Sequence, residues 1–229
     1  MITISLPDSP LIDVVLQPEN RVEKGLTAAP HSPLENQVSL GTPIVIALTP
    51  ERVGEDRDLA EFVKAEAATF RYYLVHMACT FNPSDDAPFV KAWYQVNLSR
   101  QDGATDALPI AWSMEPDRQQ EKVDISSNAE LGFDLKLLSG KIKDPATVVK
   151  ETSLQALYEL QPTPTWEFTQ TSLDPIKGNY RLRMVVRAPK DVASTGTIGL
   201  TATVQKKHLG IFPYHAEFPP VLPQTFTLV

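Results

Sequence analysis

The 229-residue chain has one cysteine, Cys79, and so no means of forming an internal disulfide. It has only 10 glycines against 20 prolines. That balance favours many short elements joined by stiff connections over long helices, because proline fixes φ and removes a backbone donor. No stretch approaches the roughly 18 uninterrupted apolar residues of a membrane-spanning helix. Met1–Pro10 has neither the basic start nor the apolar run of an export leader. With a single thiol, these absences make a reducing, cytoplasmic setting the expectation. Also missing are a glycine-rich phosphate loop, a GxSxG elbow, an HExxH pair and paired CxxC motifs. Their absence removes the enzyme classes that contiguous residues betray.

What is present is a hydrophobic fraction of 42%, enough for a sizeable core. The net charge of −7 is uneven: residues 1–170 carry 14 basic and 25 acidic side chains, a balance of −11, and residues 171–229 carry 7 and 3, a balance of +4. Nonspecific nucleic-acid binding, which calls for a basic domain, is therefore not expected, but a local basic face is allowed.

Residues 1–55 read as a proline-rich N-terminal extension with short strands, among them "LIDVVLQ" and "PIVIALTP". Residues 56–229 read as a β domain with a helix near 56–68, where Leu59, Phe62, Val63 and Ala67 recur at spacings of three and four. Asp56 or Asp58 is placed to cap that helix. From Thr69 the period becomes two. Tyr73, Val75, Met77, Cys79 and Phe81 share one face, while Phe70, Tyr72, Leu74, His76 and Ala78 share the other. With both faces apolar, this is expected to be a central strand covered on both sides.

Alternation continues through Ala92, Tyr94, Val96 and Leu98; through Ile110, Trp112 and Met114; and through Leu131, Phe133, Leu135 and Leu137. It returns in Trp166 and Phe168, in Tyr180 to Ala188, and in Ile198 to Val204, and "TFTLV" reads as a last strand. "TSLQALYELQP" fits either period; the reading favours a short helix capped by Thr152 or Ser153. One-sided strands must bury their apolar faces against each other. The expected fold is thus mainly β, an antiparallel β-sandwich with immunoglobulin-like late strands and one or two short helices. A partly closed β-barrel is the alternative, since sequence does not report closure.

Few residue groups can carry chemistry. On a strand, His76 and Cys79 point to opposite faces and cannot act as a thiol–imidazole pair. His208, His215 and Glu217 supply metal-ligand types but no tight ligand spacing. Asp85-Asp86 and Glu55-Asp56-Asp58 read as solvated carboxylates. No catalytic residue, cofactor or metal is assigned. Arg181, Arg183 and Arg187 stand on one face of one strand, and Lys206, Lys207 and His208 extend that face if the next strand pairs with it. Arginine forks onto carboxylates and phosphates, so this is a candidate docking face. Trp93, among Gln95 and Asn97, is a candidate interface anchor.

The favoured reading is a non-catalytic module that binds a protein partner through Arg181, Arg183, Arg187 and Trp93. A hydrolase with a loop-built, metal-dependent site at His208 or His215, and a small-ligand or glycan binder between the sheets, are the alternatives.

Overall fold

The computed structural model describes residues 11–19, 32–53, 57–124, 148–172, 174–206, 210–217 and 224–229. Among them are thirteen strands and one helix. The strands are β1 (Leu11–Pro18), β2 (Leu34–Gly41), β3 (Ile44–Leu48), β4 (Phe70–Phe81), β5 (Phe89–Arg100), β6 (Ile110–Glu115) and β7 (Arg118–Asp124), followed by β8 (Val148–Leu157), β9 (Thr165–Thr169), β10 (Gly178–Pro189), β11 (Ser194–Lys206), β12 (Gly210–Glu217) and β13 (Thr225–Leu228). The helix, α1, spans Arg57–Ala65 between β3 and β4.

The strands form one antiparallel sheet in the order β6-β10-β4-β2-β1-β12-β11-β5-β9-β8-β7, with β3 beside β4 and β13 beside β11. The path bends back on itself. Phe81 of β4 meets Phe168 of β9, six places along the path, with ring centroids 5.1 Å apart. Phe168 in turn meets Tyr180 of β10 at 4.9 Å. One end of the path, β6, also comes back toward the far side of the sheet. The Leu160 amide donates to the Ala111 carbonyl of β6 at 2.8 Å, and the Ala111 amide donates to the Gln161 carbonyl at 3.1 Å. Just beyond, the Leu98 amide of β5 donates to the Pro162 carbonyl at 2.8 Å. Residues 160–162 therefore bridge β6 to β5. The architecture is a sheet nearly closed into a barrel, the alternative raised above. The expected division into two separate sheets is not seen in the pairing. No helix among the described residues is long and apolar enough to cross a membrane.

The reason for the bend lies in the alternation. Val75, Met77, Cys79, Ala92, Tyr94, Val96, Leu182, Met184, Val186, Leu200 and Val204 are all buried in one core. Each comes from the apolar row of its strand, and a curved sheet buries those rows against one another. Val14 and Leu16 of β1 and Val38 and Leu40 of β2 belong to the same core.

β4 is covered on both faces, as its two apolar rows demand. Tyr72 and Leu74, on its outer face, pack with Val185 under Leu59 and Val63 of α1. Two buried aliphatic side chains each contribute about 2 kcal/mol, which anchors this short amphipathic helix. Phe62 stays 46% exposed but rests on the Trp112 ring, centroids 5.2 Å apart.

Two local expectations need correction. Residues 148–157 form strand β8 and not a helix: Leu154 is buried opposite Phe168, and Ala156 lies opposite Trp166. Neighbouring strands on both sides satisfy its backbone, and this decided an ambiguous pattern. In β6, Trp112 does not share a face with Met114. The register shifts so that Val185 opposes Ser113 and Val186 opposes Ala111, leaving Trp112 as the extra residue. Such a bulge lets Ala111 and Met114 both turn inward while Trp112 packs outside, near α1. The proposed strand at Leu131–Leu137 lies outside the described residues.

Candidate interaction face

Strand β10 pairs with β4 over its whole length, placing Arg181 opposite Ala78, Arg183 opposite His76 and Arg187 opposite Tyr72. The three arginines share the outer face, as their spacing implies, but they have different surroundings.

Arg187 is occupied within the fold. Its Nε and Nη2 donate to the Glu66 carboxylate at 2.6 and 3.1 Å. Its guanidinium lies 3.4 Å from the Phe70 ring centroid. The Tyr72 hydroxyl donates to the same carboxylate at 2.6 Å. The arginine hydrogen bond holds the Glu66 carboxyl below its ordinary pKa. Burial and the neighbouring Glu66 push the Tyr72 hydroxyl up to about 12. The cluster ties the turn after α1 to β4 and β10. Sequence reasoning passed over Glu66, because nothing in its neighbourhood in the chain marks an arginine 121 positions away.

Arg183 reaches the Glu115 carboxylate at 2.8 Å, with the two side chains 46% and 65% exposed. A pair so open to water contributes about 0–1 kcal/mol and is readily exchanged. Arg181 is exposed and makes no ion pair among the described residues. His76, opposite Arg183, is half-buried, and its Nδ1 is shielded from solvent without a hydrogen-bond partner among the described residues. Burial first, then the charges of Arg183 and Arg181, depress its pKa below 6.5, so at neutral pH the imidazole is uncharged. The face thus gathers two fixed positive charges and an imidazole whose pKa is lowered first by burial and then by those charges.

Trp93 does not belong to this face. It lies on β5, six places along the sheet from β10. Its indole Nε1 donates to Glu167 at 2.8 Å, and the Lys91 ammonium sits 5.6 Å from its ring centroid. Lys206 belongs to β11, whose neighbours are β5, β12 and β13, so the pairing with β10 that would have extended the arginine row is not made. Lys207 and His208 lie outside the described residues.

The remaining candidates stand apart. Cys79 is fully buried in the barrel interior, on the face opposite His76, and burial raises its thiol pKa far above the usual range. That inner position makes it an inert core residue. His215 is exposed on β12 opposite Thr201. Asp85 and Asp86 are exposed in a turn, and Asp58 is exposed in the first turn of α1. Among the described residues, no three His, Cys, Asp or Glu side chains converge in a way that could hold a metal ion.

Comparison with known proteins adds little. Neither a protein-family model nor a curated protein matches the sequence. Among solved structures the chain is similar to Clostridium perfringens delta-toxin, at 6% identity over 83% of this chain and 88% of that one, with a TM-score of 0.28. A likeness at that score carries no argument about fold or activity.

Proposed function

We propose that this chain is a non-catalytic binding module that captures an acidic segment of another protein on the outer face of β4 and β10. The observation that carries the reading is Arg181, exposed and without an ion pair among the described residues, beside Arg183 and His76. Arginine presents a planar fork suited to carboxylates. Arg183 already takes one from Glu115 in a solvent-exposed pair that a stronger ligand can displace. A bound carboxylate would also relieve the mutual repulsion of the two guanidinium groups. Since the whole chain carries a net charge of −7, its overall field repels an acidic partner, and capture depends on this local face. Geometry closes the thiol–imidazole route, because His76 and Cys79 stand on opposite faces of β4. On this reading the module works in a reducing compartment, in keeping with its single buried thiol.

The test is fluorescence anisotropy with a labelled polyglutamate peptide at low salt. The wild-type protein is expected to bind, and Arg181→Glu/Arg183→Glu to weaken binding at least tenfold. Lys64→Glu/Arg118→Glu, which changes net charge equally elsewhere, should weaken it far less. Equal loss in both double variants, or no binding by the wild type, overturns the reading.

A further inference from the structure

His76 stands in a row of side chains that crosses the outer face of the sheet from β3 to β6. Ile44 of β3 is opposite it on one side and Arg183 of β10 on the other, and Glu115 of β6 is opposite Arg183. In the flanking rows, Arg181 is opposite Ala78, and Ile46 and Val185 are opposite Leu74. Among the described residues, the charged groups that face His76 are therefore Arg183 and Arg181, with Glu115 beyond them. Its neighbours on β3 and β4 are apolar.

Side chains directly opposite on adjacent strands have Cβ atoms about 5 Å apart, and like charges so placed repel. A protonated His76 would face Arg183 across that gap, with Arg181 diagonal to it. Burial, and then this opposition, hold its pKa below the ordinary value. The Glu115 carboxylate does not offset them: it is 65% exposed and engaged by Arg183. The shielded, unpartnered Nδ1 leaves Nε2 as the ring nitrogen able to meet a ligand. Protonation makes both nitrogens donors. An unpartnered Nδ1–H costs the same with or without a ligand on the far side of the ring, so the two states differ in charge. A carboxylate held by Arg181 and Arg183 offsets the guanidinium charges and adds a negative group beside the ring, which favours the imidazolium.

Given capture of an acidic segment on the arginine face, the reading on which this rests, we propose that His76 takes up a solvent proton as the segment binds, so that capture is proton-linked and tightens as pH falls. The sign follows from reciprocity: a ligand that raises the proton affinity of a group binds more tightly when that group is protonated. The extra affinity is complete below the free-state pKa of His76 and is lost as pH rises through the bound-state value. The arginines that keep His76 neutral thus make it a sensor of their own occupancy.

The test is a nuclear magnetic resonance titration of the His76 ring in the wild-type protein, with and without saturating polyglutamate peptide. Fluorescence anisotropy with the same labelled peptide is followed from pH 8 to pH 6 at low salt. The His76 midpoint should rise by about one pH unit on saturation, and affinity should rise at least about threefold over the range. Protonation of the peptide acts in the opposite direction and cannot mimic this rise. In His76→Gln, which keeps a donor but cannot take up a proton, affinity should change less than about twofold between the two pH values. An unmoved His76 midpoint, or equal pH dependence in wild type and His76→Gln, overturns the proton link and leaves capture standing. Absence of binding at every pH removes capture itself, and the link with it.

Discussion

At the scale of single residues, the same side-chain type serves opposite ends depending on what stands within a few ångströms of it. Arg181 and Arg187 lie six positions apart on one face of β10, yet one faces water and the other is locked by Glu66 and Phe70. The lock is mostly shielded, with side chains 23% and 28% exposed, so its hydrogen bonds count for more than those of a surface pair. Replacing Glu66 by Gln or Arg187 by Ala should therefore cost about 2 kcal/mol in urea unfolding. The two losses should fail to add, with a coupling of about 1–2 kcal/mol in a double-mutant cycle. The pH dependence follows from the depressed Glu66 carboxyl. Its contribution is complete above the unfolded value of 4.5 and is lost as pH falls through the lower folded value. The gap between wild type and Glu66→Gln should accordingly narrow on acidification from pH 6 to pH 3, and a constant gap would refute the assignment.

At the scale of elements, β13 shows how closely neighbouring strands must fit. Gly196 of β11 lies opposite Phe226 of β13, and a Cβ placed on it would come within 2.2 Å of the Phe226 ring. Phe226 and Leu228 are both buried, so the ring has little room to retreat. Gly196→Ala should destabilise the protein by about 1–3 kcal/mol, the usual range for overpacking. Gly196→Ala/Phe226→Leu should recover part of the loss in thermal denaturation. An unaffected single variant would mean that β13 is loosely docked. Elements also show where sequence patterns mislead. The period-two rows of β4, β5 and β10 were readable because every second residue is apolar over seven to nine positions. β8 was not, because Leu154, Leu157 and Tyr158 satisfy helical spacing while Leu154, Ala156, Tyr158 and Leu160 satisfy strand alternation, and only its partners β7 and β9 break the tie. Trp112 was misplaced because a bulge adds a residue without leaving a mark in the pattern.

At the scale of the whole molecule, the core is shared by strands from both ends of the described chain. Leu16 of β1 and Ala216 of β12 are paired, as are Met77 of β4 and Leu182 of β10. Trp166, fully buried, lies in the same core. Unfolding followed by tryptophan fluorescence should therefore coincide with unfolding followed by far-ultraviolet circular dichroism, in one cooperative transition. Two separated transitions would show that the first strands melt as a unit of their own. Because so many pairings join distant positions, refolding should be slow for a chain of this size, in the range of roughly milliseconds to seconds or longer.

The sequence by itself determined which residues face inward along most strands, that β4 needs cover on both sides, and that His76 and Cys79 part company. These are consequences of strand geometry, in which successive side chains alternate and neighbours in the chain suffice to read the pattern. Only the tertiary structure decided that the sheet curls toward closure, that Arg187 is occupied while Arg181 is open, and that Trp93 sits far from both. Each of those outcomes depends on which strands become neighbours. Neighbour choice is set by burial and hydrogen bonding across the whole chain, which no local stretch encodes.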